Sequence, residues 1–147
     1  MEGIERIPKE VVDYAQRFYR YIPGDMPSIA CGQWAIETGW GVAPGLGGRL
    51  WREGDNPFAI KVAKDQSYQA GEMEGHATYA SVSHAFMDRR RILTIYRAWA
   101  ISRGMIPFDV LGLLDTWWAP NQDYRKKLVR IIMDNGLYLL DPVAKQG

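Results

Sequence analysis

The sequence predicts a mainly α fold of the α+β kind, carrying one small β-hairpin lobe. Apolar residues recur at helical spacing before Thr38 and again after Ser81. Strand-like alternation is confined to the interval between those blocks, and a glycine-dense stretch separates it from the first. A length of 147 residues allows one domain with its own core, so the whole chain, 1–147, is read as a single domain. With 47% hydrophobic and 24% charged residues it is ordinary globular stock, which excludes disorder and fibrous repeats.

Pro8 opens a first helix that reaches Tyr21, with Val11, Val12, Ala15, Phe18 and Tyr19 at helical spacing. Ile22-Pro23-Gly24 stops it. Pro27 opens a second helix to Thr38, on which Ser28, Gly32, Ala35 and Gly39 make a narrow stripe that lets a neighbour approach closely. Ile29, Ile36 and Trp40 lie on another side and Trp34 on a third, the pattern of a helix buried in the middle of a domain. From Gly39 to Gly54 the density of glycine, with Pro44, predicts a sharply turning loop.

Phe58 to Val62 reads as a short strand, and Tyr68 to Tyr79 as a hairpin around Gly71 and Gly75. Ser81 is an N-cap for a long helix with Phe86, Leu93, Tyr96 and Ala100 on one face. A further helix starts near Asp109 and carries Val110, Leu113, Leu114 and Trp117. The last starts at Asn121, turns Tyr124, Leu128, Ile131 and Ile132 inward, and stops at Asn135-Gly136.

Charge and composition remove several classes of function. Eighteen basic and 17 acidic residues leave a net charge of +1, which argues against a nucleic-acid binder. The single cysteine, Cys31, cannot form an intrachain disulfide. His76, His84 and Cys31 show no metal-ligand spacing, so no metal is expected. No phosphate-loop or nucleophile-elbow motif occurs, and no cofactor is implied. No run approaches the roughly 18 apolar residues of a membrane span, and Met1 to Lys9 lacks the apolar segment of a signal peptide. A monomer made in the cytoplasm without a signal peptide is the expectation. Arg89-Arg90-Arg91 cannot all face one partner on a helix, and is read as a solvated face with one or two salt bridges.

One carboxylate stands apart. From Met26 through Gly48, Glu37 is the only acidic or basic side chain, at the end of an apolar helix between Ile36 and Trp40. Desolvation and the negative end of the helix dipole both push its pKa up. A carboxylic acid that keeps its proton near neutral pH is suited to protonate a leaving glycosidic oxygen. The bland alternative is a helix-terminal residue turned to solvent or paired with Arg49 or Arg52.

The sequence on both sides of Glu37 resembles a known family. Gln33-Trp34-Ala35-Ile36-Glu37-Thr38-Gly39-Trp40-Gly41 is similar to the "AQAALESGWG" signature of glycoside hydrolase family 73, which includes peptidoglycan-cutting autolysins and phage lysins. Asn56-Pro57-Phe58-Ala59-Ile60-Lys61 resembles its "NLFGIK" element. Thr78-Tyr79-Ala80-Ser81 with Ala85, Phe86, Asp88 and Leu93 is similar to "FRxYxSxxESxxDYxxLL", and Trp118 to Tyr124 with Lys127, Leu128, Ile131 and Ile132 to "YATDPxYAxKLxxII". The segments occur in family order and span Ser28 to Ile132.

The resemblance implies a lysozyme-like helical domain and hydrolysis of the β-1,4 bond after N-acetylglucosamine in peptidoglycan, with Glu37 as the acid. It implies a second carboxylate on the β lobe, where Glu72 and Glu74 qualify; Glu74, directly before Gly75, is slightly preferred and Asp65 is an outside candidate. Where the family shows the tyrosine of "YATDP" this chain has Trp118, so any hydroxyl role there passes to Tyr124 or Tyr79.

Trp118 is the best candidate to stack on a pyranose ring, with Trp51 and Trp117 as further candidates, and Asn56 either bonds sugar hydroxyls or closes its own loop. The implied partner is the peptidoglycan glycan strand, reached through a delivery system such as a phage lysis component, a virion or a secretion apparatus. A lytic transglycosylase and a non-catalytic glycan-binding or assembly module are the alternatives.

Overall fold

A computed structural model describes residues 2–64, 68–105 and 109–142. In chain order the helices are α1 (Glu2–Glu5), α2 (Lys9–Phe18), which ends in a 3₁₀ turn, α3 (Pro27–Thr38) and α4 (Leu46–Gly54). Strands β1 (Gly71–Met73) and β2 (His76–Thr78) precede α5 (Val82–Ser102) and α6 (Val110–Leu113). A π-helical turn over Leu114–Trp118, α7 (Tyr124–Asp134) and a 3₁₀ turn over Leu137–Leu140 complete the order. The mainly α expectation with a hairpin lobe is what the chain forms.

Helix α3 is central because its sequence leaves it no polar face to show to water. Ten of its residues, from Pro27 to Ala35 and Thr38, are buried, and α2, α4, α7 and the last 3₁₀ turn all pack against it. The small-residue stripe makes that possible: a Cβ on Gly32 would lie 3.0 Å from Leu128 of α7. Its N-terminus lacks a local cap, since Met26 precedes it without a side-chain acceptor. Asp141 supplies one from the far end of the chain, accepting from the Ser28 N–H at 2.8 Å and the Ser28 hydroxyl at 2.7 Å.

At its other end α3 stops on Gly39, which is left-handed at φ +57°, as is usual for a helix C-cap. Trp40 follows at φ +58°, a conformation that costs a bulky residue about 1–2 kcal/mol. Packing holds it there, between the Arg6 guanidinium at 4.1 Å and the edge of Trp34 at 6.1 Å.

The glycine stretch departs from the expected loop. Only its first part turns; from Leu46 the chain is helical again as α4. Two of the glycines serve close packing instead of turning. A Cβ on Gly47 would lie 1.9 Å from the Glu37 carbonyl oxygen, and one on Gly48 2.0 Å from that of Ala43. Arg52 fastens the turn by donating to the Gly41 and Ala43 carbonyls at 3.0 and 2.9 Å.

In the lobe, β1 and β2 pair antiparallel with Glu72 opposite Ala77 and Met73 opposite His76. Glu74 and Gly75, both at positive φ, make the two-residue turn. The expected strand over Phe58–Val62 contributes a single bridge, Lys61 to His76, and the bonds Ala77 N–H to Ile60 O and Val62 N–H to Gly75 O. Phe58 itself enters the core edge-on to Phe86 of α5 at 4.9 Å. Ser81 caps α5 as expected, accepting from the His84 N–H. Helix α7 begins at Tyr124, later than expected, because Asn121 and Asp123 are left-handed and keep the preceding segment out of the helix.

The Gly47 packing predicts that Gly47→Ala lowers folding stability by about 1–3 kcal/mol, since a backbone carbonyl must move. Gly45→Ala, where a Cβ meets nothing within 4 Å, is expected to leave it nearly unchanged. Denaturant titration of the two variants checks the contrast.

Candidate active site

Glu37 occupies the penultimate position of α3, partly buried where the helix runs into its left-handed stop. Its Oε1 accepts a hydrogen bond from the Tyr124 hydroxyl at 3.0 Å. Burial raises the Glu37 pKa above the ordinary carboxylate value; the Tyr124 bond and the charges of His76 and Lys127 pull it part of the way back. Neither arginine considered as a partner is available. Arg49 goes to Glu53 at 3.2 Å and Glu74 at 3.3 Å, and Arg52 to backbone carbonyls.

Tyr124 opens α7 and is buried. Burial, the nearby Glu37 charge and the bond to Glu37 all drive its pKa well above that of a free phenol, so it remains a donor. Tyr79, the other candidate hydroxyl, is committed elsewhere. It donates to Asp88 at 2.6 Å, and Asp88 also accepts from Gln69 at 2.9 Å and Arg91 at 2.7 Å. That cluster ties the lobe to α5.

Asn56 is fully buried with every polar position used: Nδ2 donates to Ile60 O at 3.0 Å and Ala77 O at 2.8 Å, and Oδ1 accepts from the Phe58 and Ile60 N–H groups. It closes the 56–60 turn and has no bond left for a sugar. Trp51 stands edge-on to Trp34 at 6.0 Å in the α3–α4 packing. Trp118, edge-on to Phe58 and Tyr96, is partly exposed in a groove of about 470 Å³. Tyr96, Trp99 and Trp117 share that groove with Lys61 and Arg91.

The lobe carboxylates are less closely held. Glu74 sits at the hairpin tip, exposed and joined to α4 by its ion pair with Arg49. Glu72 is exposed on β1, opposite Ala77. Asp65 lies outside the described residues.

Three residues emerge that the sequence reading did not assign to the site. Arg89 is not on a solvated face. It is buried, with Nη1 and Nη2 on the two oxygens of Asp25 at 2.7 and 3.0 Å and Nε on Gln33 Oε1 at 2.7 Å. Gln33, one helical turn before Glu37, thus links the ion pair to the acid's surroundings. The available signal was a glutamine inside an apolar helix, since a buried amide needs a partner.

Because folding holds the Glu37 proton more tightly than the unfolded chain does, the native state loses stability as pH rises through its elevated pKa. Glu37→Gln removes that loss. Thermal unfolding is expected to show the variant gaining on the wild type at pH 7 to 8, with the gain shrinking as pH falls through the elevated pKa and absent below the ordinary carboxylate range. A gain that does not depend on pH would contradict the assignment.

No curated protein sequence matches the chain. Among solved structures it is similar to the catalytic domain of the autolysin Auto from Listeria monocytogenes, at 20% identity and a TM-score of 0.62. That likeness covers 95% of this chain and 87% of the other, and shows a shared fold. Residues 14–137 match the family model for glucosaminidase, described as mannosyl-glycoprotein endo-beta-N-acetylglucosaminidase. With that model spanning most of its length, the chain belongs to the glucosaminidase family, glycoside hydrolase family 73.

Proposed function

We propose that the protein is a peptidoglycan hydrolase that cuts the β-1,4 bond after N-acetylglucosamine, with Glu37 as general acid. The observation that carries the reading is the Glu37 carboxyl itself: desolvated, bonded by the Tyr124 hydroxyl, and with the nearby Arg49 and Arg52 engaged elsewhere. Protonated Glu37 gives its hydrogen to the glycosidic oxygen, the C–O electron pair leaves with that oxygen, and positive charge develops on the sugar. The resulting carboxylate is stabilised by the Tyr124 O–H and the charges of His76 and Lys127. Trp118 supplies a ring face for a saccharide in the groove.

Of the two lobe acids, Glu74 is favoured as the second carboxylate, because Arg49 ties it to α4, whose Gly47 packs on the Glu37 carbonyl. One observation favours a second reading. Among the described residues the side chains that act electrostatically on Glu37 are His76 and Lys127, with no carboxylate, and an acid without a carboxylate beside it suits a lytic transglycosylase, which closes an anhydro sugar without adding water.

Wild-type protein is expected to clear purified cell walls and to release fragments with reducing N-acetylglucosamine ends by mass spectrometry. Anhydro ends would support the transglycosylase instead. Glu37→Gln is expected to slow clearing by about 10²–10⁴-fold, the usual contribution of a general acid. Glu74→Gln is expected to slow it markedly and Glu72→Gln little. If wild type and Glu37→Gln both bind walls without clearing them, the protein is a binding module.

A further inference from the structure

Two concavities adjoin on α5, and the charges around them are of one sign. The first is the aromatic groove of about 470 Å³ that holds Trp118. The second, of about 720 Å³, opens between α2 and α5 and is lined by Arg17, Tyr21, Tyr68 and Arg90. Each helix position turns by about 100°, so Arg91, Ile92, Ile95, Tyr96 and Trp99 fall on one stripe of α5, and Met87, Arg90, Arg91, Thr94 and Ile95 on the next. Arg91 and Ile95 line both concavities and form the seam between them. A ligand lying across that seam runs from the tryptophans to the arginines. At the lobe side of the aromatic groove, Lys61 pairs with His76, one of the side chains that act on Glu37.

The cations of the second concavity are not spent on the fold. Arg17 and Arg90 are exposed and form no ion pair among the described residues. Arg90 lies over the Tyr21 ring at 4.1 Å and Arg17 over the Tyr14 ring at 5.6 Å. Stacking occupies the face of a guanidinium and leaves its N–H edges, which are the part that grips a carboxylate with two bonds at once. Arg91 gives Nε to Asp88 at 2.7 Å, and its two terminal nitrogens have no partner among the described residues. With Lys61, four cations line the two concavities and, among the described residues, no carboxylate does, on a chain whose net charge is only +1. We propose that Arg17, Arg90 and Arg91 form a subsite for the acidic peptide stem of the wall polymer, so that the protein takes a stem-bearing glycan in preference to a bare one. The inference rests on the glycan strand being the substrate. Sugar rings lie against Trp117 and Trp118, and a stem branching from the strand crosses the Arg91 seam, where its carboxylates meet guanidinium edges. A bare glycan fills the aromatic groove alone.

The test titrates Glu37→Gln protein, used so that nothing is cut, with three soluble probes by calorimetry. They are a stem-bearing peptidoglycan fragment, the same fragment stripped of its stems by an amidase, and the same fragment with its stem carboxylates converted to amides. The stem-bearing fragment is expected to bind about tenfold more tightly than the other two at low salt, and the difference should shrink as salt is added, because the arginines are exposed. Adding Arg17→Gln and Arg90→Gln should abolish the difference and leave the affinity for the stripped fragment unchanged. In protein that keeps Glu37, the same two substitutions should raise the half-saturating wall concentration severalfold and keep the maximal clearing rate. Equal affinity for the three fragments, or none, overturns the inference, as does an equal loss on the stem-bearing and stripped fragments. A polyol phosphate that displaces the stem-bearing fragment as well as free stem peptide does assigns the arginines to phosphate and overturns it too. A stem preference in a protein whose wild type clears no walls overturns the proposed function and keeps this inference; clearing without a stem preference does the reverse.

Discussion

The structure depends on burying one helix from nearly every side while keeping a single carboxyl at its end. Helix α3 has no wet face, so α2, α4, α7 and the C-terminal 3₁₀ turn must surround it. That enclosure is possible only where side chains are absent: at Gly32, where Leu128 approaches, and at Gly47, where α4 rests on the Glu37 carbonyl. The packing that desolvates Glu37 is therefore the packing that makes the fold. A raised pKa follows from the architecture and needs no separate device.

The Arg89–Asp25 pair is the costly part of this design. Removing two charges from water is often not repaid by their attraction, so such a pair is weak evidence for stability. Its geometry does something an apolar replacement could not. Both guanidinium ends are matched, and the remaining Nε–H is spent on orienting Gln33. A leucine and a methionine would fill the space and leave the amide free to turn.

Legibility followed the kind of force involved. The helix boundaries of α3 and α5 were readable because Pro27, Gly39 and Ser81 act locally, through φ preference and capping. Glycine density was misread from Gly45 onward, because flexibility and close packing leave the same letters in a sequence and only the neighbour distinguishes them. Glu37 stood out by isolation among apolar residues. Arg89 did not, because its neighbours Arg90 and Arg91 suggested a solvated stripe, and its acidic partner lies 64 residues away. The long-range cap of α3 by Asp141 was illegible for the same reason.

Trp118 makes the placement of the hydroxyl informative. With no phenol at that position, the Tyr124 side chain, arriving from the start of α7, meets Glu37, while Tyr79 is consumed by Asp88. Asn121 and Asp123 matter here: their left-handed backbone delays the helix until Tyr124, so that its first side chain points back at α3. The two lobe anchors, Asn56 and Asp88, are fully buried and fully bonded, whereas the Glu74 side chain at the hairpin tip is exposed and joined to α4 by one ion pair. An exposed pair of this kind contributes little rigidity. Glu37 thus sits on the most enclosed element of the fold and Glu74 on an exposed turn, so if the two act as the proposed pair, the carboxyl on α3 is the one whose position the core itself fixes.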